Sequence, residues 1–494
     1  MQPTLTSRVR IGAIWNIASL VLTRLIALGR SIVLARLLSP DDFGLFGMAL
    51  TLLVAMSALT NIGLDTSILA TKFTNDDELS THLDTVWTTE LLRKLILSIL
   101  LLLAVYPSVK FYGDPRLYAI LPLISITPFI QGFENIGLVI YRKKINFGRV
   151  IWFEQISGIF STLLAVMLAF LTHNVWALAL SQVFGTVFSV LLSYVIHPYR
   201  TRLAFDRGAF RQAFSFGKHM FVIGIAAYIT LTADNVLVGR IFGAAVLGIY
   251  AIGYNLGSIP IGIISSVFTS VTLPAYVELR DTESGRLETA FNRVYAIGAS
   301  LLTIMTVPIM LLGNEAIVVL YGPRWAAAGT ILRIVGLVGF CRGHLPILSP
   351  LITSVEGLSS QARAKTFEAI VFLCALFPLT LFYGIKGAAW AGVVAYLVTM
   401  LNRFLMVRSI IPDGFVPLMA SFSKTLFAGS LGYLAGLFAI GGIDAAATRL
   451  AVGGTTSVVV ISVALVIILR PLRSEILTTL TSTIPWPRED KSEC

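Results

Sequence analysis

The chain has 494 residues, of which 56% are hydrophobic and 13% charged, with a formal net charge of +11. A soluble chain of this length would divide into several charged-coated domains, whereas here the length is taken up by apolar runs. Cys341, Cys374 and Cys494 show neither metal-ligand nor disulfide spacing, and the first two read as small hydrophobes inside helices.

Runs long enough to cross a bilayer recur about fourteen times, each near the roughly 20 apolar residues that ~30 Å of hydrocarbon requires. In chain order they are Ile11–Leu38, Phe43–Leu69, Thr85–Tyr106, Leu117–Tyr141, Val150–Leu171, Val175–Ile196 and Phe216–Ile241. Val246–Val277, Val294–Leu312, Ala326–Thr353, Ala369–Tyr383, Ala388–Ile410, Leu418–Ile440 and Leu450–Leu469 follow. The eleventh is short, and Pro128, Pro260 and Pro308 interrupt three others; proline is tolerated in membrane helices where neighbours satisfy the freed carbonyl. The first run is longer than a signal core, contains Arg24 and Arg30 and lacks a small-residue cleavage site, so no cleavable signal is expected.

Orientation follows from the cations. Connections of even number carry Tyr141–Arg149, His197–Lys218, Arg280–Arg293, Arg363–Lys365, Arg408–Lys424 and the tail from Arg470. Those of odd number carry only isolated Lys110, Arg116, Arg324, Lys386 and Arg449. The positive-inside bias therefore places both termini in the cytoplasm. It also accounts for the net charge, and no nucleic-acid partner is inferred.

A weak repeat runs through the chain. Arg36, Gly44, Leu45 and Phe46 recur as Arg240, Gly248, Ile249 and Tyr250, at an offset of 204 residues. Six helices lie between the copies, which implies a parallel repeat with substrate at the interface of its halves. The expected fold is an all-α membrane protein of about 14 helices. Residues 1–205 and 206–412 form two six-helix lobes, 413–470 two added helices and 471–494 a cytoplasmic tail.

The opening RIGAIWNIASLVLTRLIALGRSIVLARLLSPDDFGLFGMALTLL and the later NIGLDTSILATK resemble Wzx-type flippases of the multidrug/oligosaccharidyl-lipid/polysaccharide exporter superfamily. Within that family the chain looks most like exporters of rhizobial exopolysaccharide clusters, those for succinoglycan among them. The resemblance implies a V-shaped pair of lobes around a central cavity that opens alternately to either side. It also implies the cargo, an undecaprenyl-pyrophosphate-linked oligosaccharide repeat unit crossing the bacterial inner membrane among its lipids. A polymerase and a chain-length regulator of the export system are the implied partners, with no cofactor.

An interior suited to such a cargo must supply cations, hydrogen bonds and water to a pyrophosphate and its sugars. Asn16, Thr23 and Arg30 are spaced by seven and share one face of the first helix, with Ser19 and Arg24 flanking. Arg24 lies near mid-membrane and Arg30 roughly 9 Å further out at 1.5 Å per residue. An arginine at that depth costs ~2.5–3.5 kcal/mol on insertion scales, which makes Arg24 a candidate cargo ligand. The tenth span adds Arg333 and Arg342 as candidates; for Arg342 a structural role stays equally open, and His344 reads as a hydrogen-bonded core residue.

Among the acids, Asp65 and Glu356 sit at helix ends, and Glu90 forms helical-spaced pairs with Arg93 and Lys94. Glu134 lies deeper, beside Asn135, and is a candidate proton-coupling site. The Asp pairs at Asp41 and Asp76 read as turn residues. The 204-residue offset sets Arg30 opposite Asp234 and predicts a gate pair between the lobes. No phosphate-binding loop, nucleophile elbow, catalytic residue or metal motif is found. Two alternatives remain, a drug/cation antiporter of the same superfamily and a membrane polymerase or ligase of the same pathway. Dominant acids would favour the first and a large outer loop the second.

Overall fold

The computed structural model describes residues 5–60, 68, 75–143, 147–280 and 284–469, and every regular element among them is helical. The first half holds α1 (Leu5–Leu37), α2 (Pro40–Thr60), α3 (Asp76–Leu103), α4 (Val105–Tyr112), α5 (Leu117–Gly132), α6 (Leu138–Lys143), α7 (Phe147–Thr172) and α8 (Trp176–Ile196). The second holds α9 (Arg207–Gly257), α10 (Ile259–Arg280), α11 (Ser284–Tyr321), α12 (Ala327–Gly343), α13 (Leu345–Glu356) and α14 (Leu358–Ile410). Two helices follow, α15 (Phe415–Ala439) and α16 (Ala446–Ile468).

Nine helices among the described residues are long and apolar enough to cross a membrane, or ten if the bent pair α3–α4 counts as one. Two of the long ones are double. Gly243 (φ 80°) breaks α9 and Gly384 (φ 63°) breaks α14, at left-handed angles that glycine adopts without a Cβ penalty. With these breaks, the succession of helices among the described residues follows the succession of apolar runs in the sequence.

Several boundaries differ from the expected ones. The eleventh span is no stub, because its helix starts at Leu358 and reaches Gly384. The ninth passes its expected end, kinks at Leu312 and continues to Tyr321. The fourth is cut between Gly132 and Leu138, where Asn135 Nδ2 donates to the carbonyls of His197 (3.1 Å) and Tyr199 (2.8 Å). A side chain that satisfies foreign backbone in this way holds the helix open.

Local chemistry explains the starts. Ser39 and Asp42 cap α2 reciprocally: the Asp42 carboxylate accepts from Ser39 N (3.0 Å), and Ser39 Oγ accepts from Asp42 N (3.2 Å). Asn75 caps α3 through Glu78 N at 2.7 Å. The segment entering α9 is strapped to α3: Arg202 N donates to Asp84, Ala204 N to Thr88 and Asp206 N to Thr85, each at 3.1 Å. The junction expected at residues 205 and 206 lies in this strap.

Within the first half α1 packs on α7 and α3 on α5, and within the second α9, α12 and α14 pack together. The pair α15–α16 packs on α11, where Gly429, Gly432, Gly436 and Gly453 allow close approach. Across the interface α2 lies along α9, while α1 meets α10 and α11.

Candidate functional site

The first helix presents its polar residues in two directions. Thr23 Oγ1 accepts from Gln155 Nε2 of α7 at 2.6 Å, so this position of the seven-residue stripe looks into its own lobe. Arg24, about 100° further round the helix, is exposed and reaches the opposite lobe. Its guanidinium lies against Gly262 of α10, where a Cβ would stand 2.7 Å from Nη2. Arg30 is partly buried. Among the described residues no acid forms an ion pair with Arg24 or Arg30. Asn16 and Ser19 lie on α1, but their side chains fall outside the described residues, as do Asp65 and the NIGLDTSILATK segment apart from Ile68.

The second lobe treats its charges differently. Asp234 of α9 is 1% exposed and accepts from the Tyr250 hydroxyl at 2.7 Å. Arg342 of α12 stands over the Tyr396 ring at 5.0 Å, within electrostatic reach of Tyr254, Glu368 and Asp234. Glu368 is fully buried and paired with Lys365 at 2.9 Å. Arg403, also fully buried, donates to Gln361 Oε1 at 3.1 Å. Two acids and three cations thus share one core across α9, α12 and α14. A buried ion pair adds little net stability over an apolar pair, but stranding one partner costs about 3–5 kcal/mol. This arrangement fixes the three helices relative to one another.

The expected gate pair is not formed here. Asp234 is bonded to Tyr250 in its own half, while α1 faces α10 and α11 instead of α9. A two-fold relation puts equivalent residues on opposite sides of the axis, which is why a shared offset did not bring them into contact. Arg333 points toward the added helices, its Nε donating to Met310 O at 3.0 Å and its Nη2 reaching Tyr433 Oη at 3.5 Å. His344 is fully buried, with Nδ1 3.1 Å from the Tyr295 hydroxyl. Glu134 sits in the break between α5 and α6, where its carbonyl accepts from Trp87 Nε1 at 3.2 Å. Glu90 pairs with Arg93 at 2.6 Å, but Lys94 turns to the Gln131 carbonyl instead.

Sequence reasoning missed Lys365, Glu368 and Arg403. The signal was present as Lys365 and Glu368 three residues apart on a membrane helix, with Arg403 deep in the next span.

The lobes close on each other at the end carrying the odd-numbered connections, called the outer end below. There the two copies of the repeat cross. A Cβ at Gly44 would collide with the Ala244 carbonyl, and one at Gly248 with the Pro40 carbonyl. The 204-residue offset converts one contact into the other (40 + 204 = 244, 44 + 204 = 248). Such reciprocal contact is the mark of a two-fold interface. Near this end Arg116 binds Asp114 (2.6 Å) and Asp41, and its guanidinium holds the Asp114 carboxyl below the usual range. No group of three or more His, Cys, Asp or Glu residues suited to a metal occurs among the described residues.

A family model described as "Polysaccharide biosynthesis protein" matches residues 33–330. The chain belongs to that family. Among curated relatives of this polysaccharide biosynthesis protein is the succinoglycan biosynthesis transport protein ExoT of Rhizobium meliloti (strain 1021), 24% identical over 370 residues, with 74% of this chain and 69% of the relative covered. The lipopolysaccharide biosynthesis protein WzxC of Escherichia coli (strain K12) is 21% identical over 415 residues, covering 82% of each chain. In fold the molecule is similar to the lipid II flippase MurJ in an inward closed conformation, with a TM-score of 0.75 at 15% identity over 93% of this chain and 99% of the other. An inward-facing multidrug resistance MATE transporter of the MOP superfamily gives 0.61 at 17% identity, over 81% and 98%.

Proposed function

We propose that this protein is a flippase carrying undecaprenyl-pyrophosphate-linked oligosaccharide repeat units across the bacterial inner membrane by alternating access, for exopolysaccharide biosynthesis. The observation that carries the reading is Arg24, a guanidinium placed between the lobes without an acid partner among the described residues. A cation kept at that depth without a fixed counter-ion suits an anion that comes and goes, and a guanidinium grips phosphate oxygens through two parallel hydrogen bonds. Arg30, one and a half turns further along α1 and partly buried, is a second candidate for the cargo, and Asn16 remains a candidate from the sequence, whereas Thr23 is occupied by Gln155 in its own lobe. Arg342, Arg333 and Glu134 are weaker candidates, since each has a local position that explains it.

The relatives named for succinoglycan and lipopolysaccharide biosynthesis support a glycan cargo, and succinoglycan is our suggestion for the polymer. Polymerase and chain-length regulator would act on the far side, with both termini cytoplasmic. An antiporter for cationic drugs fits less well. Of the deep acids, Asp234 is buried and bonded to the Tyr250 hydroxyl and Glu368 is paired with Lys365, so a cationic cargo finds no open carboxylate there.

The test is complementation of a bacterium whose own exporter for the pathway is deleted. The wild-type gene should restore surface polysaccharide, and an Arg24→Ala gene should not, at equal protein level. Full export from Arg24→Ala would remove the cargo role.

A further inference from the structure

The two repeat arginines lead to an inference about how the outer end opens, resting on the reading that the lobes part there. Arg36 and Arg240 occupy equivalent places, and each reaches the short outer helical segment of the opposite lobe. What they find there differs.

On one edge, Arg36 donates to the carbonyls of Leu320 (3.1 Å) and Val319 (3.0 Å), in the last turn of α11. Those carbonyls lack partners within the helix and carry its negative dipole end, which favours a guanidinium. Trp325 answers from the second lobe, its Nε1 donating to the Ala35 carbonyl near the end of α1 at 2.8 Å. The Tyr321 hydroxyl meets Ser31 Oγ at 3.2 Å. Trp325 is fully buried and packs edge-on to Phe43 with ring centroids 5.3 Å apart. Each lobe thus caps the helix end of the other.

On the opposite edge, Arg240 lies over the Phe111 ring at 5.6 Å, and Phe111 remains 44% exposed. Tyr112 packs over Gly239, where a Cβ would stand 3.1 Å from its ring. Among the described residues, no hydrogen bond joins the lobes along this edge. An exposed cation–π contact is weak beside several bonds to helix-end carbonyls around a buried indole.

We propose that the outer seam opens asymmetrically: the Arg36–Trp325 edge stays together as the hinge, and the Arg240–Phe111 edge parts. The Gly44–Ala244 and Gly248–Pro40 crossing lies between the two edges, where the two backbones touch and Met48 and Leu247 pack beside them, so it serves as the pivot. The opening would then face lipid between α4 and the outer end of α9, a route that lets a lipid tail stay in the bilayer while its head group leaves.

The experiment places cysteine pairs in a background with all three native cysteines replaced by Ala. Val33→Cys with Arg324→Cys reports the hinge edge, and Lys110→Cys with Ile241→Cys the parting edge. Spin-label distances are compared between the wild-type seam and one propped open by Gly44→Leu, with Gly248→Leu as the second prop. Lengthening confined to the second pair supports the proposal. Equal lengthening of both pairs, or lengthening of the first alone, overturns it and leaves the transport reading intact. No lengthening of either pair counts against both. Because a propped variant can fail to fold, each pair is also bridged with a bifunctional thiol reagent in the unpropped protein and polysaccharide export is scored. A bridge across the hinge edge should leave export, and one across the other should abolish it; loss of export from the first or tolerance of the second overturns the proposal.

Discussion

Two sets of membrane-depth arginines divide this molecule. Arg24 and Arg30 of the first lobe have no acid partner among the described residues, whereas Arg342 and Arg403 of the second lie in a core that also holds Asp234 and Glu368. The same side chain on a long apolar helix therefore has opposite meanings. Neutralising a compensated charge breaks the fold around it, and neutralising an uncompensated one removes a ligand.

The sharpest test of that contrast sets Arg24→Ala against Glu368→Gln. Arg24→Ala should abolish export with protein level and thermal unfolding in detergent unchanged, and Arg24→Lys should restore part of it, since lysine offers a charge without the planar fork. Glu368→Gln leaves Lys365 and Arg403 without their buried anion and should cost about 3–5 kcal/mol, read as a lower melting temperature and less protein in the membrane. If both variants accumulate normally and differ only in export, the division between ligand and scaffold is wrong.

Smaller changes refine it. Tyr250→Phe removes the hydroxyl bonded to Asp234 and should cost about 1–3 kcal/mol by the same melting assay. The double exchange Arg30→Asp with Asp234→Arg should export no better than the worse single change, because each residue answers to its own surroundings. Recovery would mean that the two meet in another state.

The smallest effect belongs to the outer loops. Arg116 holds the Asp114 carboxyl below its ordinary value of 3.8. A depressed folded value means that the stabilisation is present at neutral pH and is lost as pH falls through that lowered value. For this exposed pair the contribution is about 0–1 kcal/mol. Arg116→Ala should flatten the acid limb of a melting-versus-pH profile and change little at pH 7.

Much of this was legible in the residues. Hydropathy gives the succession of apolar helices because a bilayer demands long apolar runs, and the Arg–Gly–aromatic repeat marks the segment where the lobes cross. The breaks at Gly243 and Gly384 were not legible as such, since one glycine among forty carries no sign of its backbone angle. Helix ends beyond the apolar stretch, such as Leu312–Tyr321, were hidden because packing against α12, and not hydropathy, sustains them. The direction of Arg24 needed the structure. Spacing alone groups it with Thr23, and only the placement of α7 and α10 separates a residue turned inward from one turned across the interface.

The central claim is tested most directly in proteoliposomes holding a fluorescent undecaprenyl-pyrophosphate-linked oligosaccharide, with its appearance on the opposite leaflet scored by an impermeant quencher. Wild-type protein should move the lipid, and Arg24→Ala of unchanged melting temperature should leave it where it was. Equal movement with both proteins, or none with the wild type under any imposed gradient, would contradict the account.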